Sequence, residues 1–157
     1  MKIINKNSKI FLAGHKGLVG SAVLKLLKKK GYKKIIYRDR SNLDLINQKQ
    51  TSAFFKKNKP ECVIVCAAVV GGIKANTKYQ ANFIYQNIQI QNNLIHNAFR
   101  NKVKSLIFLG SSCIYPKNYS SNLKEEDLLN GKLEETNKAY AVAKIAGAQM
   151  CVSYNAQ

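Results

Sequence analysis

Lys9-Ile10-Phe11-Leu12-Ala13-Gly14-His15-Lys16-Gly17-Leu18-Val19-Gly20 is the stretch that decides the fold. Its first five residues are an apolar run of strand length, and glycines at 14, 17 and 20 follow at once. From Leu18 to Lys30 the pattern becomes helical, with Val19, Val23, Leu26 and Leu27 read as the inward face. Strand, glycine loop and helix in that order is the setting a dinucleotide-binding fingerprint requires. The spacing is G-x-x-G-x-x-G, yet the same three tasks call for glycine: a tight turn, close approach of backbone to a pyrophosphate, and helix-to-strand contact. The phosphates then lie at the positive end of the helix. Gly14, Lys16, Gly17, Leu18, Val19 and Gly20 are the candidate contacts. Three glycines by themselves can equally make a plain turn; the flanking strand and helix favour the ligand.

Gly31 reads as a C-cap, and Ile35-Ile36-Tyr37 as a second strand closing on Arg38-Asp39-Arg40. An acid at that strand end suits a ribose 2′-hydroxyl, and an arginine suits a 2′-phosphate. Two arginines flank one aspartate, so NADP(H) is expected over NAD, with Arg40 on the phosphate and Lys16 in reach of it. The other reading is an exposed turn of paired charges. Asn42-Leu43-Asp44-Leu45 leads to a second helix near Asn47 to Lys57, which stops before Pro60. Asp44 and Leu45 are candidates for the adenine edge; a turn or helix-start role for Asp44 stays open.

Cys62-Val63-Ile64-Val65-Cys66 suits a strand buried on both faces. Ala67 and Ala68 begin a run of small residues where ribose and phosphates can approach the backbone, unless it is simply a loop. A long helix is expected near Tyr79 to Arg100, with Phe83, Ile84, Ile88, Leu94, Ile95 and Phe99 apolar. Asn87 on it is either a cofactor contact, a spacer between strand ends or a surface residue. Ser105 to Leu109 reads as the fourth strand. The alternation predicts an α/β, Rossmann-like doubly wound parallel sheet of four strands with right-handed crossovers. Ligands belong beyond the carboxyl ends of its strands.

At 157 residues there is room for one core domain, and no repeat or linker divides it. No apolar run reaches the roughly 20 residues of a membrane span. The N-terminal residues carry no signal-like apolar region, so a cytoplasmic protein is the default expectation. The net charge is +18, which suits either a nucleic-acid partner or a lysine-rich solvated surface. No nucleic-acid motif accompanies it, and the second reading is preferred. Four cysteines without a C-x-x-C pair and only two histidines argue against a metal site.

Chemistry gathers in Gly110-Ser111-Ser112-Cys113-Ile114-Tyr115-Pro116 and in Tyr140-Ala141-Val142-Ala143-Lys144. The first puts a hydroxyl and a thiol at a strand end. The second sits on a final helix expected over Ala139 to Tyr154, which stacks a phenol and an ammonium one turn apart. The ammonium is expected to lower the phenol below its usual pKa of about 10. Between them, Pro116 to Asn137 is polar, with a short capped turn expected at Glu125-Glu126-Asp127. Read alone, Cys113 is either a base or a small buried residue.

Taken together, the glycine loop, Ala67 to Ile73, Phe83 to Asn87, Leu109 to Pro116, Thr136-Asn137 and Tyr140 to Gly147 resemble the extended short-chain dehydrogenase/reductases. Gly-Ser-Ser-Cys-Ile-Tyr-Pro narrows the likeness to the branch that converts GDP-4-keto-6-deoxy-D-mannose to GDP-L-fucose. That resemblance implies Cys113 as base at C3 and C5, Ser111 and Tyr140 on the oxyanion, and Lys144 on the nicotinamide ribose. It implies a histidine acid on the opposite face, NADPH as hydride donor and a homodimer paired through the two long helices. Lys16 departs from the family's arginine, keeping charge but losing a bidentate fork. Family members have about twice this length, so an N-terminal NADP-binding segment is expected, lacking the GDP-sugar part and inactive alone. Competing readings are another sugar-nucleotide 4-epimerase or dehydratase, a non-catalytic NADP-binding scaffold, and a basic nucleic-acid binder.

Overall fold

The computed structural model describes residues 4–118 and 122–157. The sequence readings at 1–3 and 119–121 lie outside the described residues. The chain forms two compact units, one from residues up to Ala68 with Gln89–Leu109, the other from Val69–Ile88 with Gly110–Gln157.

The first unit holds strands β1 (Lys9–Ala13), β2 (Lys34–Ile36), β3 (Cys62–Val65) and β4 (Ser105–Phe108), with helices α1 (Leu18–Lys29) and α2 (Gln48–Asn58). All pairings are parallel in the order β2-β1-β3-β4, with Ile10 opposite both Ile35 and Cys62, and Val63 opposite Leu106. Side chains alternate across β1 and β3. Ile10, Leu12, Cys62 and Ile64 pack under Val23, Leu24 and Leu27 of α1. On the opposite face Phe11 meets Phe54 and Phe55 of α2, with ring centroids 4.5 and 5.9 Å apart. Both faces are covered, which explains the unbroken apolar run in β3. This is a Rossmann-like, doubly wound fold. The order reverses between β1 and β3, and open sheets of this kind take ligands outside the carboxyl ends of the strands at such a point.

One helix face differs from the sequence reading. Val19 and Leu26 point outward, and the buried face of α1 is Gly20, Val23, Leu24 and Leu27. The i, i+3, i+4, i+7 stripe starts at the glycine, one residue later than the apolar letters suggested. Gly31 ends α1 as expected: at φ +80 its N–H reaches Lys28 O, and the Tyr32 N–H reaches Leu27 O. Asn47 caps α2 by accepting from the Gln50 N–H at 3.0 Å, and Lys59 ends it at φ 46 before Pro60.

Helix α4 (Gln80–Arg100) contributes residues to both units. In the first unit, Asn93 on α4 donates to the carbonyls of Leu45 and Ile46 at 2.8 and 3.0 Å, fastening the turn before α2. The long helix expected from Tyr79 to Arg100 is α4, and a short helix the sequence reading did not include, α3 (Ile73–Lys78), precedes it with a turn at Tyr79. Phe99, expected among the apolar positions, is exposed, while Ile90 and Ala98 are buried. The second unit ends in α5 (Lys138–Ala156), whose buried positions are Ala141, Ala143, Lys144 and Gly147. The acidic residues at 125–127 form a 3-10 turn in which Asp127 accepts from the Lys124 N–H at 2.7 Å, as the polar loop reading required.

Candidate active site

In the first unit the loop after β1 is fixed by its glycines. Gly14 lies at φ +85, and a Cβ there would come within 2.5 Å of Ala67 N and 2.7 Å of Ala67 Cα. The backbones leaving β1 and β3 therefore meet at Gly14 and Ala67, the small residues expected there. A Cβ on Gly20 would fall onto the Gly14 carbonyl, so this glycine lets α1 pack against the loop.

Gly17 is different. Its φ is −72, and a Cβ would meet nothing nearer than Gly14 O at 3.5 Å. Nothing in the protein requires glycine there. Gly17 is the N-cap of α1, supplies no side-chain cap, and no acid occupies the first turn. Leu18 beside it is 91% exposed. The start of a twelve-residue helix with no side-chain cap and no first-turn acid is chemically suited to a dinucleotide's pyrophosphate.

The end of β2 carries a charge cluster. Asp39 pairs with Lys16 Nζ at 2.9 Å and with His15 Nε2 at 3.2 Å. The hydrogen bond from Lys16 is the largest cause holding the Asp39 carboxyl below its ordinary value. His15 stacks on Tyr37 with centroids 4.7 Å apart. Arg40 is 72% exposed, and its Nε lies 3.8 Å from Asp44. Asp44 turns inward on its own backbone, accepting from the Ile46 N–H at 3.1 Å, so it has the turn role left open by the sequence. Leu45 sits in that turn with its carbonyl held by Asn93.

In the second unit, Ser111 has an extended backbone (φ −161, ψ 151) and opens a 3-10 turn over Ser112–Ile114. That turn folds Cys113 back so that its Sγ donates to Ser111 Oγ at 3.2 Å. The Ser111 hydroxyl also hydrogen-bonds the phenol of Tyr140. Thiol, hydroxyl and phenol thus form one connected set. Lys144 is 4% exposed, with Nζ 5.8 Å from the centre of the Tyr140 ring. The helical spacing puts the pair where the sequence placed it.

The expected acidification of Tyr140 is not what the structure gives. Burial pushes the phenol above its ordinary value, the Cys113 charge adds to this, and the Ser111 hydrogen bond offsets only part. Desolvation, which penalises the charged phenolate, is the largest cause of that direction. A phenol so placed keeps its proton near neutrality and is a proton donor.

Asn87 is 3% exposed. It clamps Val69, accepting from its N–H at 2.8 Å and donating to its carbonyl at 2.9 Å, and gives its other hydrogen to Phe83 O at 2.8 Å. Of its hydrogen-bonding capacity one oxygen lone pair is left over from these three bonds. Asn76 does a similar task on the glycine pair, donating to the carbonyls of Gly71 and Gly72 at 2.6 and 3.2 Å. Sequence reading missed Asn76 and the His15–Asp39 pair. A Gly-Gly followed by asparagine at helical distance is a signal for the first; the second joins residues on separate loops and leaves no local pattern.

Among the described residues no cluster of His, Cys, Asp or Glu suits a metal ion, and no helix is long and apolar enough to cross a membrane. The chain is 48% identical over 149 residues to the GDP-L-fucose synthase of Escherichia coli (strain K12), covering 95% of this chain and 46% of that protein. It is 49% identical over 153 residues to GDP-L-fucose synthase 1 of Arabidopsis thaliana, covering 98% and 47%. The chain therefore spans about half the length of the curated relatives it matches. Among solved structures it superimposes on MlghC, a GDP-mannoheptose C4 reductase from Campylobacter jejuni with NADP bound, at a TM-score of 0.95 and 48% identity, covering 99% and 49%. The sequence pattern of one family runs through residues 10–157, glycine loop, Ser111 turn and Tyr140–Lys144 helix included: the chain belongs to the NAD dependent epimerase/dehydratase family.

Proposed function

We propose that this chain supplies the dinucleotide-binding and proton-transfer residues of an NADP(H)-dependent GDP-L-fucose synthase acting in the cytoplasm. That enzyme epimerises GDP-4-keto-6-deoxy-D-mannose at C3 and C5 and reduces C4. The carrying observation is the 3.2 Å contact of Cys113 Sγ with Ser111 Oγ, one hydrogen bond from the Tyr140 phenol. Ketone reduction needs the hydroxyl, phenol and ammonium; a thiol joined to them adds a base for protons beside the carbonyl.

On this reading Cys113 removes the protons at C3 and C5, while Ser111 and Tyr140 steady the negative charge on the carbonyl oxygen. Tyr140, kept protonated by burial, then gives its proton to that oxygen. A bound reduced nicotinamide supplies the hydride to C4. Lys144 holds the nicotinamide ribose, the α1 N-terminus holds the pyrophosphate, and Lys16 and Arg40 take the 2′-phosphate. The acid for the opposite face and the GDP-binding part belong to sequence outside these residues, so the segment alone binds NADP(H) weakly and does not turn over substrate. Exposed Tyr85 and Phe99 on α4, and Val142 and Val152 on α5, support homodimer pairing through these helices.

The test uses the protein read through its complete frame, with GDP-4-keto-6-deoxy-D-mannose and NADPH in D2O. Deuterium is expected at C3 and C5 of the product, and Cys113→Ala should lose it. NADPH oxidation without deuterium at either carbon would sink the epimerase reading. It would favour the second one, a C4 reductase of GDP-heptoses, which the likeness to MlghC supports.

A further inference from the structure

The end of β2 carries two devices of opposite kind: an acid that suits a ribose 2′-hydroxyl and cations that suit a 2′-phosphate. Asp39 is bound to Lys16 and His15, at 2.9 and 3.2 Å. The His15 side chain is 11% exposed and stacked on Tyr37, so it is a fixed donor rather than a surface passer-by. Lys16 is exposed. A carboxylate has about four acceptor sites; Lys16 and His15 use one on each oxygen, and the Asp39 side chain is 40% exposed.

We propose that Asp39 restrains this chain's preference for the phosphorylated dinucleotide: it already occupies Lys16 and His15 as an internal anion, while offering its remaining lone pairs to a 2′-hydroxyl. The proposal rests on the glycine loop being a dinucleotide site. A 2′-phosphate must draw Lys16 away from Asp39 and accept a carboxylate as neighbour. A 2′-hydroxyl can donate to Asp39 with both existing pairs intact. Arg40 keeps the phosphate acceptable, since its pairing with Asp44 is a loose 3.8 Å contact at the surface. Asp39 therefore sets how far the chain prefers NADP(H) over NAD(H).

The test titrates the chain with 2′,5′-ADP and with 5′-ADP at fixed salt, read by chemical-shift perturbation or calorimetry, so no turnover is needed. Asp39→Asn keeps the shape and removes the charge; Asp39→Ser is a second variant, and melting curves check the fold of both. The variants should tighten 2′,5′-ADP and weaken 5′-ADP, widening their ratio by roughly tenfold, the scale of one unit charge beside a doubly charged group in watery surroundings. A ratio that stays within twofold of the parent overturns the proposal while leaving the dinucleotide site standing. If neither nucleotide binds the parent chain at millimolar concentration, the dinucleotide reading falls, and the proposal with it.

Discussion

Gly14 and Gly17 lie three residues apart in one loop, and the structure assigns them opposite reasons for being glycine. Alanine at 14 would sit at φ +85, a left-handed conformation costing about 1–2 kcal/mol for a residue with a side chain. Its Cβ would also be forced to within 2.5–2.7 Å of the backbone at Ala67 and Cys66, which cannot swing aside. Moving two strand ends apart adds about 1–3 kcal/mol, by analogy with overpacked cores. Gly14→Ala should therefore destabilise by about 3 kcal/mol, lowering the melting temperature by roughly 6–12 °C for a chain of this size. Alanine at 17 has φ −72 and an ordinary contact at 3.5 Å. Its smaller unfolded-state entropy gains about 0.4–1 kcal/mol. A poorer N-cap loses a similar amount. Gly17→Ala should melt within about 3 °C of the parent. Its methyl should instead stand where the pyrophosphate approaches, weakening NADPH at least about tenfold in a fluorescence titration, an affinity loss near 1.4 kcal/mol. Equal thermal damage from both substitutions, or unchanged NADPH affinity in Gly17→Ala, would refute this division of labour.

Asn87→Leu strands the N–H and carbonyl of Val69 in a partly buried setting. A loss of about 3 kcal/mol is expected by urea unfolding, with Asn87→Asp only partly restoring the clamp. In the complete enzyme Tyr140→Phe should abolish reduction while Cys113 still exchanges substrate protons with solvent, read as deuterium uptake without NADPH oxidation. On the acid side, Lys104 at 2.6 Å and then the Lys9 N–H hold Glu61 below the usual carboxylate range. A carboxyl depressed in the folded state contributes stability above its unfolded pKa, about 4.3, and loses it as pH falls through the folded value. Melting temperatures should drop with pH below about 4.5, and Glu61→Gln should flatten that slope.

Backbone necessity made the β1 loop legible: the tight turn at Gly14 and the close packing at Gly20 constrain letters that are close together in sequence. β3 was legible because burial on both faces leaves no polar letter. The Tyr140–Lys144 pair followed from helical spacing alone. What could not be read depends on distance through space. Whether Val19 or Leu24 faces the sheet turns on where α1 begins relative to Gly20, a matter of one residue. The direction of Tyr140's shift depends on how much water reaches its oxygen. Asn87 looked like a free polar group because its partner, the Val69 backbone, lies 18 residues away.

The backbone carrying Ser111 and Cys113 is extended and then a relaxed 3-10 turn, with no left-handed residue in it. The thiol arrives at the hydroxyl by the ordinary course of that turn, so the fold invests no strain in having sulfur there. A single codon can therefore add or delete the thiol while the extended backbone at Ser111 stays as it is.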